Sequence, residues 1–245
     1  MTARIVVVAG GASGIGAACT ARFAAAGDRV VVIDVADPAG LTLPAGAAAL
    51  RADIRGSAAC EAAIASIVAE HGRVDVLVNA AGVITRANAL DTSDEEWQRQ
   101  FSVNVDGTFF LSRAVTRAMV AGDGGAIVNI ASMWGTVGGV GHVAYCAAKG
   151  AVVQLTRAMA LDHARDGVRV NAVCPGEVDT PMLRGGGRAA PLGDAEISAI
   201  GSSTVPLGRV AAPDEIARVI EFLASPGASY MTGAIVAVDA GCTAA

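Results

Sequence analysis

The sequence predicts a doubly wound α/β fold, a seven-stranded parallel sheet with helices on both faces. Three observations predict it. Short β-branched runs alternate with longer helical patterns along the whole chain, the signature of strand–helix–strand units. Most of the strand runs are apolar at every position, as parallel strands covered on both sides must be. The first run ends in a glycine cluster from which a helix starts at once, the form such a sheet takes where it binds a ligand.

In order, the strand runs are Arg4–Ala9, Arg29–Asp34, Ala47–Arg51, Val74–Asn79, Ala126–Ala131, Val168–Val173 and Ala234–Val238. The helical patterns are Gly14–Ala26, Ser57–His71, Ser93–Val120 (read as two helices), Val143–Asp166 and Pro213–Ala224. Thr180–Thr204 breaks the rhythm: it is rich in glycine and alanine, carries Arg184 and Arg188, and reads as an excursion outside the sheet. The expected organisation is one domain over residues 1–245 with a lid insert at 180–204.

Composition excludes several classes of function. The 245 residues carry 18 Lys and Arg against 23 Asp and Glu, a net charge of −5, and only 4% are aromatic. Neither the basic footprint nor the stacking platforms of a nucleic-acid binder are present. Five cysteines without metal-ligand spacing suggest neither a disulfide framework nor a zinc site. The apolar run Ile5–Ala9 is too short for a secretory signal. The stretch Gly124–Ala148 is interrupted by Asn129, Ser132, His142 and glycines that a membrane helix would not favour. A soluble cytoplasmic protein is expected, with no nucleic-acid or membrane partner and no metal.

The glycine cluster reads Ala9-Gly10-Gly11-Ala12-Ser13-Gly14-Ile15-Gly16. Glycines at this spacing turn the chain tightly and let backbone approach a pyrophosphate at the helix N-terminus, where amides and the helix dipole favour anions. The spacing is GxxxGxG, which alone also fits a plain strand-to-helix turn. Its context adds Asp34, at the end of the second strand and 18 residues after Gly16, where a carboxylate accepts hydrogen bonds from ribose hydroxyls. Asp34 would repel a 2′-phosphate, and Val35 and Ala36 offer no cation for one, so NAD is expected rather than NADP. Asp53, just past the third strand, could receive the adenine amino group or be a polar loop residue.

Past the fifth strand come Ser132, then Tyr145 and Lys149. An i, i+4 pair shares one helix face, and Lys149 is the only lysine among 17 arginines. A free phenol has a pKa of about 10 and is a poor base at neutral pH. A cation about 4 Å away at an effective dielectric of about 20 supplies about 4 kcal/mol, enough to lower it by two to three units. Ser132 would donate to a developing alkoxide. The short pattern YxxxK also describes an ordinary surface pair.

Taken together, Gly10/Gly14/Gly16, Asp34, Asn79-Ala80-Ala81-Gly82, Asn104, Ser132, Tyr145/Lys149 and Pro175-Gly176 resemble the single-domain, NAD-dependent branch of the short-chain dehydrogenase/reductase family. The resemblance runs from Ile5 to Val238-Asp239-Ala240-Gly241. It implies a Rossmann-type fold with Tyr145 as general acid/base, Ser132 polarising the substrate oxygen and Lys149 binding the nicotinamide ribose. Asn104 would hold a water in a proton relay through Lys149. Ser13, Ile15, Ile54, Ala80 and Gly82 would join the cofactor contacts, as would the segment Pro175–Thr180 with Val178 and Thr180. Asn79–Gly82 would pack beneath the cofactor and steady the sheet. Ala9, Ala80 and Ala240 depart from the family's usual Thr, Asn and Gly, which touches support rather than chemistry.

For the substrate, Trp134 and His142 should line one wall and the lid the other, with Arg184 and Arg188 placed to clamp an anionic end. The resemblance implies an NAD-dependent dehydrogenase of a small alcohol or ketone, assembled as a homotetramer through Gly107–Val120 and Val143–Asp166. Two other readings stay open: a lyase or epimerase using transient hydride transfer, and a catalytically silent NAD-binding regulatory protein.

Overall fold

The computed structural model describes residues 3–244. Seven strands form one all-parallel sheet in the order β3-β2-β1-β4-β5-β6-β7. They are β1 (Ile5–Ala9), β2 (Arg29–Asp34), β3 (Ala47–Arg51), β4 (Val76–Asn79), β5 (Gly125–Ile130), β6 (Val168–Pro175) and β7 (Ile235–Val238). The helices are α1 (Gly14–Ala25), α2 (Ser57–His71), α3 (Asp94–Phe101), α4 (Thr108–Val120), α5 (Val143–His163), α6 (Pro181–Gly185), α7 (Asp194–Thr204) and α8 (Pro213–Leu223).

Strand alternation builds two cores. Val7, Val31, Leu77 and Ile127 face one side and pack against Ile64 and Ile67 of α2 and Leu111 and Val115 of α4. Val6, Val8, Val32 and Val78 face the other and meet Phe23 of α1 and Ile216 and Ile220 of α8. Both faces are covered, which explains why these strands carry no polar alternation.

Several ends shift by one or two residues from expectation, and three differences have local reasons. β6 runs two residues further, because Cys174 and Pro175 pair with Ala237 and Val238 of β7. α5 ends at His163 and closes through a 3₁₀ turn, Ala164–Asp166, that stops at Gly167 with φ of 75°. The segment read as two helices is α3, capped by a reciprocal Ser93–Glu96 box, then a π-helical turn over Ser102–Gly107, then α4. Residues 180–204, expected as a lid, carry α6 and α7. No helix among the described residues is long and apolar enough to cross a membrane.

All strands point the same way, so their C-terminal ends share one edge. The chain leaves β1 toward β2 on one side and reaches β4 on the other, so a crevice opens where the order reverses.

Candidate active site

The loops at this edge enclose a cleft of about 700 Å³. After β1, Gly10 has φ of 71°, and a Cβ there would lie 2.6 Å from the Cα of Ala81. A Cβ on Gly16 would collide with the carbonyl of Gly10, so both glycines are needed to fold the turn this tightly. Thr20 braces it, its hydroxyl donating to the carbonyls of Gly16 (3.0 Å) and Gly11 (3.3 Å). Sequence reasoning missed Thr20, which lies one helical turn past the glycine motif.

Ser13 begins α1 without a capping hydrogen bond, and the first turn holds no acidic residue. Ser13, Gly14 and Ile15 line the cleft, and their end of the helix offers free amides to an anion. Asp34 stands at the cleft's edge, where its carboxylate accepts from the amides of Ala36 (3.1 Å) and Ala12 (3.3 Å). Asp53 and Ile54 line the same end. The Asp53 carboxylate is paired with Arg55 at 2.6 Å, which holds it below the usual range. Ala80, Gly82, Pro175, Gly176, Val178 and Thr180 line the middle. The Thr180 hydroxyl caps α6 by accepting from the Leu183 amide (3.3 Å).

Not every expected cofactor residue reaches the cleft. Asn79 is buried in the sheet, where its amide donates to Ser112 (2.9 Å) and Asn129 (2.8 Å), and Asn129 donates in turn to Thr156 (2.9 Å). This chain ties β4 and β5 to α4 and α5, so Asn79 steadies the sheet rather than lining the cofactor cleft. Asn104 is fully buried in the π turn. Its side chain exchanges hydrogen bonds with the Val83 backbone, at 3.0 Å and 2.9 Å. A Cβ on Gly82 would lie 2.9 Å from Asn104 Oδ1 and 3.7 Å from Lys149 Nζ, so these two groups converge beside Gly82.

At the far end Ser132 follows β5 in extended backbone and starts a 3₁₀ turn, Met133–Gly135. The turn sits flush on α5, since a Cβ on Gly135 would lie 2.7 Å from the Lys149 carbonyl oxygen. This approach brings Ser132 to the phenol of Tyr145, whose ionised form its hydroxyl favours. Lys149 is buried on the same helix face, with Nζ 5.7 Å from the Tyr145 ring centroid and 2.8 Å from the Ile130 carbonyl, to which it donates.

The electrostatics correct one expectation. Burial pushes the Tyr145 phenol up to about 12 and the Lys149 ammonium down to about 8. Within the protein alone, desolvation outweighs the attraction read from the i, i+4 spacing.

The substrate end also differs from expectation. Trp134 lines the cleft and meets the Tyr145 ring edge-on at 6.2 Å. His142 packs on Trp134 in a tilted arrangement with ring centroids 4.0 Å apart, but both its ring nitrogens are taken. Nδ1 donates to the Val140 carbonyl (2.7 Å), which leaves Nε2 to accept from Arg86 (3.0 Å). Burial lowers its pKa, so His142 is a neutral prop for Arg86, and it lines neither the cleft nor the cavity that adjoins it. Arg184 does not reach the pocket: Asp179 (2.6 Å) and Asp194 (2.9 Å) hold it, fastening α6 to α7. Arg188 does line the substrate end, beside two residues that sequence reasoning missed, Arg86 and Glu177. The only available signal was Glu177's place directly after Pro175-Gly176.

Residues 10–243 match a family model described as enoyl-(acyl carrier protein) reductase. Meso-2,3-butanediol dehydrogenase of Serratia marcescens is 42% identical over 98% of this chain and 95% of its own. Galactitol 2-dehydrogenase (L-tagatose-forming) of Cereibacter sphaeroides is 46% identical over 96% of this chain and 93% of its own. The ligand-free aldohexose dehydrogenase of Thermoplasma acidophilum superposes with a TM-score of 0.91 at 33% identity, over 99% of this chain and 95% of that one. With a glycine turn and a Ser–Tyr–Lys set at opposite ends of one cleft, and these likenesses along nearly its full length, the chain belongs to the short-chain dehydrogenase/reductase family.

Proposed function

We propose that the protein is an NAD-dependent dehydrogenase that interconverts small secondary alcohols and ketones. The observation that carries this reading is the single cleft joining the α1 N-terminus and Asp34 to Ser132, Tyr145 and Lys149. The residues suit a dinucleotide: free amides at Ser13–Ile15 for the pyrophosphate, Asp34 for the adenosine ribose, and Pro175, Gly176, Val178 and Thr180 toward the nicotinamide. A carboxylate at position 34 with Val35 and Ala36 beside it favours NAD over NADP, because a 2′-phosphate there would meet like charge. When bound, the oxidised nicotinamide supplies a hydride acceptor and a positive charge.

The protein's own groups then divide the work. Trp134 walls the substrate. Ser132 donates a hydrogen bond to the reacting oxygen and stabilises its developing charge. Tyr145 takes the hydroxyl proton during oxidation and returns it during reduction. Bringing its phenol from about 12 back toward neutrality needs several kcal/mol at about 1.4 kcal/mol per unit. A cation held beside the ring supplies much of this, since one charge about 4 Å away is worth about 4 kcal/mol at an effective dielectric of about 20; the Ser132 hydrogen bond already holds the phenol below what burial alone would give. Lys149 holds the nicotinamide ribose and passes the proton toward Asn104, with which it converges at Gly82.

Exposed apolar side chains on the outer helices, Phe109 and Val120 on α4 with Val143 and Leu161 on α5, support a homotetramer, and light scattering should give four chain masses. Free thiols at all five cysteines suit a reducing cytoplasm.

Tyr145→Phe tests the reading. The variant should lose NADH production from every accepted alcohol, by at least about a hundredfold, while fluorescence titration shows NADH still binding. Retained turnover would overturn Tyr145 as the base. Net accumulation of NADH by the wild type separates a dehydrogenase from a lyase or epimerase, whose cofactor returns to its starting state.

A further inference from the structure

A second cavity of about 410 Å³ adjoins the catalytic end, sharing Arg86, Trp134 and Glu177 with the cleft. Arg188 and the C-terminal Thr243 close its other side. Its volume falls in the range of small-molecule pockets. Its charges are of both signs and unspent.

Glu177 is half-buried, and among the described residues it makes no ion pair within 4 Å and no side-chain hydrogen bond. Arg86 is fixed from behind: Nε donates to the Gly186 carbonyl (2.8 Å) and Nη1 to His142, leaving Nη2 without a protein partner among the described residues. Arg188 is anchored by Nε on the Leu183 carbonyl (3.1 Å), and both its terminal nitrogens are likewise unspent. Glu177 lies within the field of both arginines without closing on either. Acceptors and donors thus face one cavity at fixed places, each needing a partner when water is displaced.

We propose that this cavity is a subsite for the distal hydroxyls of a neutral polyol, with Glu177 accepting from one hydroxyl and Arg86 and Arg188 donating to others. The proposal rests on the dehydrogenase reading and names the substrate class of the same site. A hydroxyl both donates and accepts, so a polyhydroxylated chain satisfies both signs together. An alkyl chain satisfies neither and strands three polar groups. A carboxylate engages the arginines but meets Glu177, so the expected clamp for an anionic substrate becomes a filter against one.

Three four-carbon substrates test this: D-threitol, 2-butanol and 3-hydroxybutanoate. For the wild type, kcat/KM with NAD should be at least tenfold higher for D-threitol than for either of the others. Glu177→Gln should cut the ratio of D-threitol to 2-butanol at least tenfold and raise the ratio of 3-hydroxybutanoate to 2-butanol. Using ratios removes any effect of Glu177 on Tyr145 that all substrates share. Arg188→Met, on the lid surface, should lower the D-threitol ratio as well and gives a second reading should Glu177→Gln fold poorly. Activity on 2-butanol without preference for D-threitol, or ratios unmoved in both variants, would overturn the subsite alone. No NADH from any of the three would overturn the dehydrogenase reading and the subsite with it.

Discussion

Ser132 faces two partners, and its two roles are separable by pH. Its hydroxyl favours the ionised form of the Tyr145 phenol, opposing the burial that pushes that phenol up to about 12; it also stands where a substrate oxygen would gain charge. Ser132→Ala should therefore do two things to alcohol oxidation. Loss of one oxyanion donor lowers kcat by roughly a hundredfold or more, and loss of the bond to the phenolate moves the rising limb of the pH profile to higher pH. Steady-state rates across alkaline pH check both; a limb that stays in place while the rate falls would confine Ser132 to the substrate oxygen. At this scale the sequence was legible in type and spacing but not in environment. Tyr145 and Lys149 do share a helix face, yet the i, i+4 rule says nothing of desolvation or of the Ile130 carbonyl that claims the ammonium. Arg184 differs for a similar reason: residue type marks it as an anion clamp, while Asp179 and Asp194, close in sequence, claim its guanidinium.

The turn after β7 shows how one backbone position shapes an element. Ala240 is the only non-glycine among the described residues with positive φ, at 58°. Asp239 holds the turn in that form, accepting from the amides of Gly241 and Thr243 (3.0 Å each) and from the Thr243 hydroxyl (2.5 Å). A left-handed residue with a Cβ costs about 1–2 kcal/mol, and glycine's greater chain entropy returns about 0.5–1 kcal/mol of that. Ala240→Gly should accordingly stabilise the fold by about 0.5–1 kcal/mol, read as a higher urea midpoint at unchanged slope; a lower midpoint would mean the turn is unstrained. The departure at Ala240 was visible in the sequence, and its cost needed the dihedral. Strand identities were likewise legible, because runs such as Val30-Val31-Val32-Ile33 leave little else to form between two helix layers. The π turn was not: its residues Ser102–Gly107 carry no proline and continue the helical pattern on both sides, and it shows only as Asn104 turned inward onto Val83.

Across the whole molecule, stability and chemistry compete at the buried pair. The parallel sheet and its two apolar faces follow from pattern alone, but pattern does not say what it costs to bury an ammonium and a phenol on α5 beside β5. Lys149 titrates at about 8 in the native state against an ordinary 10.5, so between these values the unfolded chain holds a proton that the native state has released. Stability from this group therefore rises with pH over that window and is lowest below pH 8. Tyr145 acts oppositely: native at about 12 against an ordinary 10, it keeps its proton where the unfolded chain loses it, and stability falls with pH from about 10 to 12. Lys149→Met removes the first dependence. The Lys149 shift amounts to about 3 kcal/mol at about 1.4 kcal/mol per unit, and the lost bond to Ile130 gives back about 1 kcal/mol. The inactive variant should thus be about 2 kcal/mol more stable than the wild type at pH 7. Its advantage should shrink as pH climbs through 8 toward 10, since the wild type no longer buries a charge. Denaturant unfolding of both proteins at pH 7, 8.5 and about 10 measures it. A difference that stays constant across that range would mean Lys149 keeps its ordinary affinity for the proton, and the site would then hold its cation at no cost to the fold.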